Sequence, residues 1–523
     1  MRAFTFSLSL LLIAFLLGAA PALRAQAQCG VVTGVSFPVD RSVFQLVQDY
    51  AVPSARHQGR YHTGEDYYAG PGQSFGQPVR VIADGRVTYS SPIGWGRDGG
   101  VVIVEHTMPD GTLVYSLYGH MIPTDTYPFP ERYRCLRAGD VVGAIGDARP
   151  APHIHFEIRT TGPDIPGPGY SIQPPAELGW LQPSRFILNW QTWLLSAHRW
   201  HVQLPEDNRL VTPPLILDDG SMLLASRDRL RYASADGRIL WRIILDQTPV
   251  ALTLVDRRPV VVYPNGNLQF INLDASLGER WSVSVPLQSP ALPFADRLLF
   301  HSADDTLLAL TPDRRQIAWQ QSGIPPFVRA YVAPAAIGLI TAGNTLYALS
   351  HEGALLATIP LDSLAFIGAA LDGRLLYYTQ NGFAAIDSTG NQSQVISGLP
   401  GAPDESALVF NPLGAFYFWG GGTSRTLNAI GSDGSLLWQT PLPEVAGRAE
   451  LALYDGVLLL ITGQGNLVAL QADTGLICNR SRFYADNHAS LSYTLTPDGI
   501  LRLATPDQIT GLDWRTFIGA CAA

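Results

Sequence analysis

The chain contains 523 residues, of which 44 are acidic and 35 are basic, so its formal net charge is -9 at pH 7. A chain of this length is too long for one hydrophobic core and predicts two or three domains. No lysine and no basic cluster occur in it, which makes it a poor candidate for binding nucleic acid or anionic membrane surfaces.

The N-terminus has the pattern of a secretory signal. Arg2 precedes an apolar run over residues 4–20, and Ala25-Gln26-Ala27 provides a small-x-small cleavage site. We therefore predict a signal peptide over residues 1–27 and a secreted or cell-envelope protein, periplasmic or extracellular. The alternative is a retained membrane anchor, but the apolar run is short for a membrane span, and the later apolar stretches are interrupted by Gly, Asp and Pro.

Four histidines and one aspartate form the most informative pattern. His62 and Asp66 are four residues apart, His120 follows Tyr118-Gly119, and His153 and His155 are two residues apart. Residues two apart on a strand point to one face, so both of the last two can reach one site. Catalytic zinc is usually held by three nitrogen or oxygen ligands, and His62, Asp66 and one of His153 and His155 can supply them.

Proton transfer at such a site needs a base. The chain contains no His-Glu-x-x-His helix, so the glutamate base of helical zinc proteases is missing. The two histidines that are not ligands are the natural substitutes, since imidazole titrates near neutral pH. Turn signals at Asp84-Gly85 and Pro109-Asp110-Gly111 predict short strands in this region, and they place His120 at the end of a strand over residues 113–118.

The spacing of His-x-x-x-Asp and, about ninety residues later, His-x-His resembles the lysostaphin/LytM-type zinc metallopeptidases that cut peptidoglycan peptides. The resemblance covers roughly residues 55–160. It implies Zn²⁺ bound by His62, Asp66 and His155, with His120 and His153 as catalytic residues that orient and deprotonate water or stabilise the oxyanion. Framework segments share it: Gly76-Gln77-Pro78-Val79, Asp84-Gly85-Arg86-Val87, the strand over residues 101–106, and Gly139-Asp140-Val141-Val142-Gly143.

We assign residues 28–160 to this predicted peptidase domain, expected to be an antiparallel β-sheet. Residues 28–55 are either an inhibitory segment or a first strand of the domain. Residues 161–198 are rich in proline and tryptophan and are interpreted as a tail and connector, with a short helix over residues 186–197.

The four cysteines favour disulfides in an exported chain and allow three connectivities. Cys29 and Cys135 flank the peptidase region, whereas Cys478 and Cys521 both occur late in the chain. We therefore expect pairing within each domain. No Cys-x-x-Cys pair is present, so the spacing argues against zinc binding by these cysteines.

Residues 199–523 repeat a unit of short strands with a period typical of β-propeller blades. We predict eight blades, with seven as the alternative, in a chain that is all-β throughout. Trp200 and its neighbours resemble the Trp-containing strand that the last unit lacks, so the first and last strands are expected to share one blade. The equivalent apolar positions are Leu230, Leu268, Leu307, Leu346, Phe383, Leu427, Leu467 and Ile509.

The repeat signature resembles pyrroloquinoline-quinone-type propellers, which raises a quinone-dependent dehydrogenase as a rival function. No calcium and quinone site can be assigned, so the repeats are interpreted as a module that binds wall material or a protein partner. The favoured prediction is an exported zinc endopeptidase that cuts peptidoglycan stem peptides or cross-bridges. The alternative is a catalytically silent envelope scaffold that binds wall material and a partner.

Overall fold

The computed structural model describes residues 29–523 except 206–207, 284, 288–291, 295, 303, 313–314, 362–366, 371, 380–381, 398–407, 412, 421–424, 444, 446–448, 484–491 and 522–523. The predicted signal peptide lies outside the described residues. The chain divides into two compact units between Ile187 and Leu188, within the segment interpreted from sequence as a connector. Among the described residues, no helix is both long and apolar enough to cross a membrane.

The first unit is a β-structure in which every strand pair is antiparallel. Helix α1, Pro183–Trp193, begins in this unit and contains the division. Its strands are β1 Gln45–Gln48, β2 Pro53–Ser54, β3 Arg60–His62, β4 Glu65–Tyr68, β5 Pro78–Arg80, β6 Gly85–Ser91, β7 Gly100–Thr107, β8 Leu113–Ile122, β9 Cys135–Leu136, β10 Val141–Ile145, β11 Ile154–Arg159, β12 Tyr170–Ser171 and β13 Trp180–Leu181.

The main sheet has the order β1-β4-β11-β8-β7-β6-β9, with β10 paired to β5 and β8 and with β13 paired to β11. A second sheet has the order β12-β3-β2. Strand β11 is buried along its whole length because it lies between β4 and β8. Strand β1 pairs with β4, so residues 45–48 are part of the sheet, as one of the two alternatives for the N-terminal segment predicted.

The second unit consists of four-stranded antiparallel sheets, eight of them among the described residues, followed by the short helix α2, Trp514–Ile518. Seven of these sheets are formed by four consecutive strands, and the eighth has the order β14-β45-β44-β43.

The first four sheets and the closing strand contain β14 His198–Gln203, β15 Leu215–Ile216, β16 Met222–Ala225, β17 Arg229–Ala233, β18 Ile239–Ile244, β19 Ala251–Val255, β20 Arg258–Val262, β21 Asn267–Ile271, β22 Leu277–Ser282, β23 Leu292–Phe294, β24 Arg297–His301, β25 Thr306–Thr311, β26 Gln316–Ser322, β27 Phe327–Val332, β28 Ile337–Thr341, β29 Thr345–Leu349 and β30 Leu355–Pro360. The remaining sheets contain β31 Ile367–Ala369, β32 Leu375–Thr379, β33 Gly382–Ile386, β34 Gln392–Ser397, β35 Leu408–Phe410, β36 Phe416–Gly420, β37 Thr426–Ile430, β38 Leu436–Pro441, β39 Ala449–Tyr454, β40 Val457–Thr462, β41 Asn466–Gln471, β42 Ile477–Arg482, β43 Ser492–Leu495, β44 Ile500–Thr505 and β45 Gln508–Asp513.

The eight apolar positions predicted from the repeat occupy equivalent places in their sheets. Each is the second residue of the third strand of its sheet, as Leu230 is in β17 and Ile509 is in β45. All eight are at most 1% exposed, because the inner strands of each sheet are covered on both faces by neighbouring sheets. The fourth strands, such as β42, alternate between partly buried and exposed residues.

Tryptophans on the fourth strands join consecutive sheets. The indole N–H of Trp438 donates to the carbonyl of Ala472 at 2.8 Å, and Gly475 beyond it lies against the ring. Gly475 has φ +69°, and a Cβ there would come within 2.6 Å of the indole. The predicted closure is also present, since β14 pairs with β45. The prediction of an all-β chain with propeller-type repeats is confirmed, whereas the number of blades stays a prediction.

Both disulfides connect cysteines within one unit, as predicted: Cys29 with Cys135, and Cys478 with Cys521. We expect the double substitution Cys478→Ser with Cys521→Ser to lower the free energy of unfolding of the second unit by about 2–4 kcal/mol, because the bridge restricts the unfolded chain. Urea denaturation followed by tryptophan fluorescence measures this loss. The matched variant, Cys29→Ser with Cys135→Ser, should lower the stability of the first unit and leave the unfolding transition of the second unit unchanged. An unchanged transition of the second unit in the Cys478 and Cys521 variant would contradict the expectation.

Candidate metal centre

Strand pairing brings the predicted site residues together. In the register of the main sheet, His155 on β11 lies opposite Asp66 on β4 and opposite Gly119 on β8. Directly opposed residues share one face of an antiparallel sheet, so the carboxylate and the imidazole are neighbours. His62, the last residue of β3, reaches the same point from the second sheet.

Three donor atoms converge at this point. His62 Nε2 lies 2.9 Å from His155 Nδ1, and Asp66 Oδ1 lies 3.0 Å from His155 Nδ1 and 3.2 Å from His62 Nε2. All three residues are buried. Ligand atoms bound at about 2.0–2.2 Å to one zinc ion in tetrahedral geometry lie about 3.3 Å apart, close to the spacing found here.

The outer ring nitrogens show which inner nitrogens carry lone pairs. His62 Nδ1 lies 3.1 Å from the carbonyl oxygen of Asp49, and His155 Nε2 lies 3.0 Å from Glu157 Oε1. Both partners are acceptors, so both outer nitrogens are N–H donors and the inner nitrogens of the neutral rings are acceptors. Two imidazole lone pairs and a carboxylate oxygen then face each other, an arrangement that requires a proton or a cation at its centre.

Electrostatics favour positive charge at this centre. Burial alone would lower the pKa of His155, but its hydrogen bonds to Asp66 and Glu157 outweigh burial and raise the pKa to about 9. Burial alone would raise the pKa of Asp66, yet hydrogen bonds from the His155 and His62 rings in their protonated forms, and the positive charge of those forms, hold it well below its usual range. The donor set of two nitrogens and one ionised oxygen fits Zn²⁺, which binds such ligands in hydrolase sites.

His153 and His120 lie beside this cluster. His153 Nδ1 donates to the carbonyl of Ala151 at 2.7 Å, which leaves Nε2 as an acceptor 3.5 Å from Asp66 Oδ2. His120 Nδ1 donates to the carbonyl of Asp98 at 2.7 Å, and its ring centroid lies 4.7 Å from that of His153. Burial, reinforced by the nearby His153 and His155, lowers the pKa of His120 to about 4, so this ring is neutral at pH 7.

The sequence placed His120 at the end of a strand, but the strand continues to Ile122. The pairing of β7 with β8 shifts register between Gly100 and Val102, and His120 has φ +60°. The residue therefore occupies a β-bulge, a feature that redirects a side chain and is common beside active sites. No local sequence signal marked this bulge.

An open groove of about 600 Å³ leads to the cluster. Trp95 forms one wall and lies edge-on to the rings of His120 and His155, with centroid distances of 5.0 and 5.2 Å. The groove is also lined by Tyr170, whose ring is stacked on that of His57 with centroids 3.6 Å apart. A polymer segment can therefore reach the donor atoms from solvent.

Sequence reasoning assigned no role to Glu157, although it lies on the same face of β11 as His155. This carboxylate is fully buried and accepts hydrogen bonds from His155 and from Thr63 Oγ1, the latter at 2.5 Å. The alternation His153, His155, Glu157 was the available signal, because residues two apart on a strand share a face.

Comparison with known proteins supports the two-part architecture. Residues 60–166 match the model of peptidase family M23, and residues 196–394 match the model described as outer membrane protein assembly factor BamB. The chain thus joins a peptidase M23 domain to BamB-like repeats. The predicted resemblances to lysostaphin-type peptidases and to quinoprotein-type repeats are confirmed at this level.

Solved structures similar to the chain include BamB from Moraxella catarrhalis, with 16% identity over 60% of this chain and 99% of that chain and a TM-score of 0.44. The computationally designed Ika8 protein has 11% identity, covers 61% of this chain and 100% of its own, and has a TM-score of 0.47. At these values the likeness carries no functional inference. Among curated proteins, no sequence matches the chain.

The contact between β4 and β11 can be tested at Gly64. A Cβ at this position would lie 2.3 Å from the backbone carbonyl oxygen of Phe156. We expect Gly64→Ala to push the strands apart, to destabilise the M23 domain by about 1–3 kcal/mol, and to lower zinc affinity about tenfold or more. Thermal unfolding and a zinc titration measure both effects. Gly34→Ala is the control, because a Cβ at Gly34 meets nothing within 4 Å; equal zinc affinity in the two variants would contradict the geometry.

Proposed function

We propose that the protein is an exported zinc endopeptidase that hydrolyses peptide bonds in peptidoglycan stem peptides or cross-bridges. The observation that carries this proposal is the convergence of three lone-pair donors at the base of an open groove, with two further imidazoles beside them. The M23 match supports a peptidase. In this proposal the BamB-like repeats bind a wall component or a protein partner.

His62 Nε2, Asp66 Oδ1 and His155 Nδ1 would hold the ion, and bound zinc would polarise the scissile carbonyl and lower the pKa of a water molecule to about 7. His120 is neutral at pH 7, and its Nε2 is free of the bond that Nδ1 makes to Asp98. It can therefore accept the proton of the attacking water and deliver it to the departing amine. His153 Nε2 is an acceptor that faces the same space, so it can orient the attacking water by accepting a hydrogen bond from it.

The charged rim of the groove fits a peptide that carries free carboxylates, as peptidoglycan stems do. Arg56 and Arg149 both line the groove. Arg149 lies 3.3 Å from Asp98, whereas no ion pair of Arg56 occurs within the described part of the chain. Arg56 thus offers a guanidinium to a substrate carboxylate in the groove that leads to the donor atoms.

Export is supported by the two disulfides, which form and persist outside the cytoplasm. The signal-like N-terminus predicts the same destination. We therefore propose a periplasmic or extracellular location, where cell-wall peptides are accessible.

Digestion of purified cell-wall sacculi by the full chain tests the activity. We expect peptide fragments with new ends that are identified by mass spectrometry, that disappear with a chelator, and that return when zinc is added. His155→Ala should release none, because one of three ligands is lost. Zinc content should fall in this variant and stay unchanged in His57→Ala, which alters a groove-lining histidine outside the cluster. Bound zinc without release from any sacculus type would favour the scaffold alternative.

A contribution of Arg56 to substrate binding can be distinguished from a contribution to the catalytic step. We expect Arg56→Gln to raise KM for a soluble stem-peptide dimer about threefold to tenfold with little change in kcat, because a charged hydrogen bond to a substrate carboxylate is lost in both the bound and the transition states. Steady-state kinetics measure both constants. Arg97→Gln, an exposed arginine outside the groove lining, is the control. A fall in kcat at constant KM would assign Arg56 a different role.

A further inference from the structure

Residues 163–184, which we name the strap, run past the metal centre after strand β11. Four of its carbonyl oxygens, at alternate residues, accept hydrogen bonds from the body of the M23 domain. These four bonds attach residues 163–169 to the body of the domain along this stretch. The pairs are Thr88 Oγ1 with Pro163, an Arg159 guanidinium N–H with Ile165, Trp95 Nε1 with Gly167 at 2.7 Å, and the Thr63 N–H with Gly169 at 3.1 Å.

The strap also contributes strands. Tyr170 on β12 pairs with His62 on β3, and Trp180 on β13 pairs with Arg159 on β11. The strap therefore extends the two sheets that together carry all three candidate zinc ligands. The segment that matches the M23 model ends at residue 166, so most of the strap lies beyond it.

Trp180 contacts the ligand His155 through one intervening carboxylate. Its indole N–H donates to Glu157 Oε2 at 2.8 Å, while Glu157 Oε1 accepts from His155 Nε2 at 3.0 Å. The carboxylate is fully buried, so each of its hydrogen bonds forms away from water and restricts its rotation. Trp180 thus fixes one oxygen of the group whose other oxygen orients the imidazole of His155.

Ser184, at the end of the strap, holds a second buried carboxylate. Its hydroxyl donates to Glu65 Oε1 at 2.6 Å, and its backbone N–H lies 3.1 Å from Glu65 Oε2. Glu65 precedes Asp66 in β4. The strap therefore bonds to Glu65, which precedes Asp66, and to Glu157, which accepts from His155, and it lies within the segment predicted as a tail and connector.

We infer that the strap is part of the catalytic unit and that Trp180 is a positioning residue that acts on the zinc ligand His155 through Glu157. The inference rests on the proposed function, because it requires His155 to bind zinc. Partners of metal-bound histidines fix the ring orientation and the tautomer, and their loss commonly lowers metal affinity 10–100-fold. A connector without this role would not affect metal binding.

Trp180→Phe tests the inference, since it removes the N–H donor and keeps an aromatic ring. In the full chain, we expect the zinc Kd, measured by competition with a chromophoric chelator, to rise about tenfold. The visible spectrum of the cobalt-substituted protein should shift, because the geometry around the ligand changes. Trp241→Phe is the matched control: it removes an indole N–H that donates to Leu273 in the repeats at 2.8 Å, and it should leave both readouts unchanged.

A double-mutant cycle separates positioning from a general loss of structure. If Trp180 acts through Glu157, Trp180→Phe should change the zinc Kd by less than about twofold when Glu157→Gln is already present. Additive effects, or an unchanged Kd in Trp180→Phe, would overturn the inference. Trp180→Leu replaces the phenylalanine variant if circular dichroism shows that the latter is unfolded. Failure of the unmodified protein to bind zinc would overturn the proposed function instead, so the two failures are distinguishable.

Discussion

The metal centre depends on one electrostatic constraint: three buried atoms that carry partial negative charge lie close together. Two imidazole nitrogens and one carboxylate oxygen point their lone pairs at each other within 3.2 Å. Without a positive species between them, this arrangement is repulsive in a low-dielectric interior. It exists because the opposite side of each imidazole is bound to a fixed acceptor, the Asp49 carbonyl for His62 and Glu157 for His155.

The fold of the M23 domain holds these three atoms in place. Strand β11 is the central element, because it borders β4 and β8 and carries both His155 and Glu157. The strap closes the polar network around Glu157 and also contributes Tyr170 to the groove. The groove remains open to solvent, so the ligand side chains are held by the protein and can still be reached by a substrate.

Much of this arrangement could be predicted from sequence, because the relevant signals are local and periodic. The His-x-His pair required only the alternation of a strand, and the repeat positions required only a constant period. The bulge at His120 could not be predicted, since it arises from the register between β7 and β8. The strap was also missed, because proline-rich segments lack periodicity and its hydrogen bonds connect residues far apart in sequence, such as Trp180 and Glu157.

The pairing of β14 with β45 has a consequence for the order in which the chain is built. The first strand of the second unit, which begins at His198, finds its partner only when Gln508–Asp513 has emerged. The first unit ends at Ile187, so it can form its internal contacts while the repeats are still being synthesised or translocated. Strand β14 has an unpaired edge until residues 508–513 have been synthesised, and during this interval the repeats are exposed to misassembly and to chaperones.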